Sequence, residues 1–184
     1  IGDQKRDEFI AAMLAILGDV RLLWLPKGAD TTTSTEDSRY AGVITWDATV
    51  AARKATLGSG LSQTFDGIDD EGDIPDADRY SFGDGVVDQA FSVGALCRLD
   101  VGSAARTLVA KENSATVREW NFGINSTDGF HLTLTDESAS ATLIRTYDPS
   151  LTLATWAHLG MASDGRRSVA GIRGFRDGAL VTTL

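Results

Sequence analysis

The chain has 184 residues, of which 42% are hydrophobic and 23% charged, as is typical of a single folded domain with a substantial apolar core. Its 26 acidic and 17 basic residues give a net charge of −9, which disfavours non-specific binding to nucleic acid or to an anionic membrane. Because Cys97 is the one cysteine, no intrachain disulfide can form, and the fold must be stabilised by packing.

The first predicted element is an amphipathic helix in the segment DQKRDEFIAAMLAILGD, which we assign to an N-terminal element at residues 1–19. Phe9, Met13 and Leu17 recur at helical spacing, and Gly18 is suited to end the helix. Their apolar stripe either packs on the rest of the chain or docks on a neighbouring subunit, because exposure of these side chains to water is unfavourable.

From residue 20 onward the hydrophobic period changes to two, which predicts strands. In FSVGALCRL alternate residues from Phe91 to Leu99 share one face, and FHLTL behaves in the same way. Short strands separated by polar turns predict a mainly β fold, an antiparallel sandwich or jelly roll. We expect the following residues to be mostly buried between its two sheets: Phe65, Phe91, Val93, Leu99, Trp120, Phe122, Phe130, Leu132 and Trp156.

A crowded acidic segment, TFDGIDDEGDIP, occupies residues 64–75. Oxygen-rich clusters of this kind suit calcium, and one turn could gather Asp66, Asp69, Asp70 and Asp73. The spacing is not that of an EF-hand loop, however, and Asp and Gly also build tight turns without any ion. The segment is therefore either a calcium site or a set of turn-forming residues.

Catalytic candidates are scarce. With His131, His158 and Cys97 as the chain's only histidines and cysteine, a nucleophile–base pair has few possible members, and four zinc ligands at usable spacing are missing. Cys97 falls on the apolar face of its strand, which indicates an inert buried thiol. We therefore predict that the chain is not an enzyme.

A sugar-binding site would use an exposed aromatic ring beside a few polar groups. Trp120 and Trp156 lie in apolar strand patterns and are assigned to the core. Trp46, in VITWDATVAAR, is the tryptophan that we expect to be exposed and to bind a ligand.

The order of several motifs resembles a known family. TFDGIDDEGDIPDADRYSFGDG followed by QAFSVGALCRLD is similar to the laminin-G-like, concanavalin A-like jelly-roll domain (LamG-type). REWNFGINSTDGFHLTL, TWAHLGMASDG and GIRGFRDG then follow in the family's order. The resemblance covers residues 20–184 and implies a concanavalin A-like jelly roll over that range, preceded by the N-terminal helix.

This resemblance implies a class of use. Such domains recur on bacterial surface proteins and on phage particles, as decoration, fibre or tail components, which predicts a non-catalytic assembly module located on a virion or an extracellular surface. The alternative is an adhesion module that binds carbohydrate, with calcium as its possible cofactor. The expected partners are itself, another assembly protein or surface glycans, and neither nucleic acid nor a membrane.

The chain also departs from the family at several positions. The family has an aromatic–aliphatic pair where this chain has Glu71 and Gly72, and often a tryptophan at Leu96. Gly174 and Arg176 replace apolar residues.

The family also continues beyond the position of Leu184 with closing strands, so we expect an unpaired sheet edge near GIRGFRDGALVTTL. An interface should therefore involve the helix or the late strands, and its predicted residues are Phe9, Met13, Leu17, Ile172, Phe175 and Leu180.

Overall fold

The computed structural model describes residues 33–35, 43–46, 54–57, 60–68, 70–83, 86–113, 117–148 and 150–182. The helix predicted within residues 1–19, with Phe9, Met13 and Leu17, lies outside these ranges. The chain divides into two compact units, residues 1–79 and 80–184.

The first unit contains a three-stranded antiparallel sheet and a two-stranded hairpin. Its buried residues are Ile44 and Trp46, with Ile74 packed against them. In the sheet the strand order is β1-β2-β5, and the hairpin pairs β3 with β4. The strands are β1 (Thr33–Thr35), β2 (Val43–Trp46), β3 (Lys54–Leu57), β4 (Gly60–Gln63) and β5 (Gly72–Asp73).

The second unit is a sandwich of two four-stranded antiparallel sheets. Its strands are β6 (Phe91–Arg98), β7 (Arg106–Asn113), β8 (Val117–Ile124), β9 (Phe130–Asp136), β10 (Ala141–Tyr147), β11 (Trp156–Ser163), β12 (Ile172–Arg176) and β13 (Ala179–Val181). One sheet has the order β10-β9-β8-β7 and the other has the order β13-β12-β11-β6. We call them the β7–β10 sheet and the β6/β11–β13 sheet.

Helical structure in the described residues is limited to two 3-10 turns, Asp78–Tyr80 and Val169–Gly171. In this part of the chain no helix is long and apolar enough to cross a membrane. The mainly β prediction is thus confirmed, and the sandwich is compatible with a jelly roll.

Both sheets contribute to one core, because each turns its apolar face inward. The core residues are Leu99, Phe122, Ile124, Phe130, Leu132, Tyr147, Leu151, Ala157, Leu159, Met161 and Ile172. Phe91 and Val93 pack against this cluster, and Trp120 is buried beside Phe82 and Phe91. The Trp120 indole N–H donates to the Tyr80 carbonyl at 2.8 Å, so its burial leaves no polar group unsatisfied.

Two residues predicted to be buried between the sheets are placed elsewhere. Phe65 lies in the first unit and is 46% exposed. Trp156 is half-buried, and the register places it beside Arg98, whose guanidinium carbon lies 5.8 Å from its ring centre. Since Ala157 and Leu159 point inward, Trp156 belongs to the outer face of its sheet.

Two of the glycines that depart from the family resemblance each lie against an aromatic ring. Gly72 pairs in register with Trp46, and an added Cβ at Gly72 would overlap the Trp46 ring. Gly174 faces Tyr147, whose ring would overlap an added Cβ in the same way. The Tyr147 hydroxyl then donates to the buried Ile172 carbonyl at 2.9 Å. Both glycines therefore leave room for an aromatic side chain within a core.

Candidate functional site

The acidic turn, residues 64–75, is held together by its own carboxylates. Asp66 Oδ1 accepts a hydrogen bond from the Ile68 N–H at 2.8 Å, and Asp70 Oδ2 accepts one from the Asp66 N–H at 2.6 Å. Gly67 between them has φ of 76°, a conformation that glycine adopts without strain. Asp66 and Asp70 therefore stabilise a turn, as the sequence allowed.

The four predicted calcium ligands are only partly brought together. Asp66 and Asp70 are neighbours, Asp73 is an exposed residue of β5 opposite Thr45, and Asp69 lies outside the described residues. Among the described residues, no three His, Cys, Asp or Glu side chains form a group that could hold a metal ion. Calcium binding at this turn remains a prediction.

Trp46 is not an exposed platform, and the expectation that its ring is free to bind a sugar is wrong. Its side chain is buried with Ile44 and Ile74, lies over Gly72 and stands 6.1 Å from the Phe65 ring centre. The small residue at position 72 admits the ring into the sheet face, so Trp46 forms the core of the first unit.

The outer face of the β6/β11–β13 sheet carries several apolar side chains. In β6, Phe91, Val93 and Cys97 face the core, so the alternation leaves Leu96 outside. Leu96 is 55% exposed and lies opposite His158 of β11. The surface continues across the other three strands. The strand register places one residue of each strand side by side, in the order Gly94, Gly160, Phe175 and Leu180.

We call this surface the apolar face. Its apolar outward side chains are Leu96, Trp156, Phe175 and Leu180, and His158, Gly94 and Gly160 lie among them. Leu180 is 53% exposed, and Phe175 is half-buried. The middle of the face is low because the two glycines have no side chain. An added Cβ at Gly160 would have its nearest neighbours at 3.8 Å. A flat apolar surface of this kind is a typical protein-contact surface.

The charges on this sheet all have one sign. β6, β11, β12 and β13 contain three arginines and no carboxylate, in a chain whose net charge is −9. Arg98 forms an ion pair with Asp100 at 2.9 Å, and Arg176 lies 3.6 Å from Asp177, both carboxylates belonging to turns beyond the strands. Arg173 is exposed and forms no ion pair within the described part of the chain.

The predicted interface residues are therefore divided between core and surface. Phe175 and Leu180 lie on the apolar face, whereas Ile172 is buried in the core and its side chain offers no contact surface. This corrects the assignment of Ile172, because alternation in IRGFR places Ile172 and Gly174 on the inner side and Phe175 on the outer side. Leu96 was missed, although the alternation in FSVGALCRL leaves it outside.

The outer face of the β7–β10 sheet is different, because it carries a polar cleft of about 390 Å³. The Asn121 side-chain amide donates to Thr107 Oγ1 at 3.0 Å and to Glu112 Oε1 at 2.9 Å. The remaining lining is polar except for a few side chains, and it includes Arg118, His131, Thr133, Thr135, Thr142 and Ile144. Hydroxyl, amide and charged groups converge here without an exposed aromatic ring.

Two titratable groups are altered by burial. His131 lines the cleft, its Nδ1 is buried without a hydrogen-bond partner in the described residues, and burial lowers its pKa below the usual 6.5. Burial raises the pKa of the Cys97 thiol to about 11, so that thiol stays protonated and unreactive at neutral pH. His158 is on the other sheet, so the structure does not bring the two histidines of the sandwich to one site.

No protein-family model, curated protein or solved structure matches the chain. The turn, the cleft and the apolar face are therefore the features of the described residues that bear on function.

Proposed function

We propose that this chain is a non-catalytic assembly module that uses the apolar face to contact a neighbouring molecule in a virion or a surface assembly. The resemblance of residues 20–184 to LamG-type jelly-roll domains supports this class of use. The observation that carries the proposal is the exposure of Leu96 and Leu180 on one sheet face that has no carboxylate in its strands.

The size of the face can be compared with that of known interfaces. Strands of eight, eight, five and three residues, spaced about 4.8 Å apart, offer roughly 400 Å² per molecule. Two such surfaces in contact reach about 800 Å², so the turns that flank the sheet must add contact area to reach the lower bound of about 1,000 Å² for a biological interface. Each Å² of apolar area removed from water contributes about 25 cal/mol, before the costs of association are subtracted.

Exposed leucines on a sheet face promote non-specific association unless a partner covers them. Soluble proteins usually interrupt such faces with charged side chains. Arg173 is the exposed outward charge of β12. A partner that covers Leu96, Phe175 and Leu180 would explain why these apolar side chains lie on the same face as Arg173.

The test is the mass of the 184-residue chain in solution, measured by native mass spectrometry and sedimentation velocity over a range of concentrations. We expect an oligomer that Leu180→Asp dissociates. Ile144→Asp is the matched control, because Ile144 is 55% exposed on an edge strand of the other sheet and should leave the mass unchanged. A folded wild-type chain that remains monomeric at every concentration would contradict the proposal.

The polar cleft supports carbohydrate binding as the second candidate function. Hydroxyl and amide groups at Thr107, Asn121 and Thr133 could exchange hydrogen bonds with a sugar. The cleft lacks an exposed ring on which a sugar could stack, because its one tryptophan, Trp120, is buried. That difference makes assembly the better-supported function.

A glycan array separates the two functions, if it is probed with the wild-type chain, with Asn121→Ala, and with and without calcium. A carbohydrate-binding module would bind glycans and lose binding in Asn121→Ala, whereas we expect no binding. If Asp66, Asp69, Asp70 and Asp73 bind calcium, millimolar calcium should also raise the melting temperature, while magnesium serves as the control ion. We expect no calcium-induced shift, since Asp66 and Asp70 already bond the backbone of the turn.

A further inference from the structure

We propose that copies of this chain assemble head to tail, with the acidic turn of one copy seated on the apolar face of the next copy. This inference rests on the proposed assembly function and names both surfaces of the contact. It follows from an apolar and electrostatic match between two parts of the molecule.

The acidic turn presents apolar side chains at its surface as well as charge. Ile68 is 87% exposed, and Phe65 is also exposed two residues after the end of β4. Glu71 and Asp73 are exposed beside them. A single turn thus offers one protruding aliphatic side chain bordered by carboxylates.

Two local hydrogen bonds restrain the described residues of the turn. The Ile68 N–H donates to Asp66 Oδ1, and the Asp66 N–H donates to Asp70 Oδ2. A turn restrained in this way loses less conformational entropy on binding than an unrestrained one.

The apolar face has the complementary features. Gly94 and Gly160 lie directly opposite each other and form a low area bordered by Leu96, His158 and Phe175. This area can receive a protruding side chain such as Ile68. Arg173 lies on the same side of β12, where it can meet the carboxylates of the turn. The charges are complementary at Arg173. Residues 64–78 contain seven acidic residues and no basic one, and Arg173 is exposed and forms no ion pair within the described part of the chain. The other two arginines of these strands, Arg98 and Arg176, lie beside Asp100 and Asp177.

A face-to-face dimer of the same surface is disfavoured by the same charges. It would place Arg173 of both copies in one interface to which the strands contribute no carboxylate, and like charges in an interface are destabilising. A contact between two different surfaces leaves the pair with one unused turn, on one copy, and one unused face, on the other. Such heterologous contacts continue into a closed ring or an open filament, as an assembly module requires.

The experiment is a complementation test with two variants of the full chain. The turn variant carries Ile68→Ser, Glu71→Lys and Asp73→Lys, and the face variant carries Leu180→Ser and Arg173→Glu. We expect each variant alone to be monomeric, with self-association at least tenfold weaker than that of the wild type. An equimolar mixture should form a 1:1 heterodimer and nothing larger, since it contains one intact turn and one intact face.

A control variant carries Ile144→Ser and Arg118→Glu on the other sheet and should keep the wild-type oligomer. Circular dichroism and melting temperature establish that each variant is folded. If the wild type oligomerises and the turn variant does so equally well, head-to-tail assembly is overturned while the assembly function stands. If the folded wild type is monomeric, the assembly function itself is overturned.

Discussion

The two sheets of the sandwich share one core but present opposite chemistry to solvent. The β7–β10 sheet has threonine, asparagine and histidine around a cleft with charges of both signs. The β6/β11–β13 sheet has leucine, tryptophan and phenylalanine around two glycines, with arginine as its strand charge. Core packing constrains the inward residues of both sheets in the same way, so the outward residues are where the two sheets can acquire different functions.

The largest difference expected between inner and outer positions is in stability. Phe122 is fully buried in β8, and Phe122→Ala should lower the free energy of unfolding by about 3–5 kcal/mol because it leaves a cavity between the sheets. Ile144→Ala, at an exposed outward position of β10, should change it by less than about 0.5 kcal/mol. Urea denaturation measures both values, and similar losses for the two variants would contradict the assignment of inner and outer faces.

A second comparison uses one glycine from each side of the β6/β11–β13 sheet. Gly174 points inward at the Tyr147 ring, so Gly174→Ala should destabilise the fold by about 1–3 kcal/mol through overpacking. Gly160 points outward, where an added Cβ would make ordinary contacts with Phe175 and Val93 at 3.8 Å, so Gly160→Ala should be neutral or slightly stabilising. Thermal unfolding of the two variants tests this, and Tyr147→Leu should relieve part of the loss caused by Gly174→Ala if the ring is the cause.

The smallest expected effect is that of His131 on the pH dependence of the free energy of unfolding. Because burial lowers the pKa of His131 in the folded chain, the unfolded chain takes up that proton first as the pH falls below about 6.5. The stability contribution is therefore complete above that pH and is lost as the pH falls towards the folded-state pKa. His131→Gln should flatten the dependence of unfolding free energy on pH between about 7 and 5, relative to the wild type.

Ile144→Gln, at an exposed position of β10, is the matched control and should retain the wild-type slope, since it leaves His131 in place. Hydrogen bonds from Ser138 and Ala139 lower the pKa of Asp136 below 3.8, so its contribution is present above that value and is lost only at more acidic pH. The contribution of Asp136 therefore changes outside the window between pH 7 and 5. An unchanged slope in His131→Gln would show that its burial has no effect on the pH dependence of folding.

The residue pattern alone was sufficient for the class of the fold and for several strand faces. Alternation in FSVGALCRL and FHLTL separated inward from outward side chains, because successive residues of a strand point to opposite sides whatever lies above them. The same local rule, applied to IRGFR, would have separated Ile172 from Phe175. The turn-forming role of Asp66 was likewise visible, since its hydrogen bond spans two residues.

Tertiary structure decided which side of each strand is covered and which aromatic rings are buried. Trp46 and Tyr147 are buried because Gly72 and Gly174, distant in sequence, leave space beneath their rings. Trp156 is on the outer face because the second sheet packs against Ala157 and Leu159 instead. The apolar face itself exists only because four strands from separate parts of the chain align in register, and long-range pairing of that kind is not encoded in any single segment.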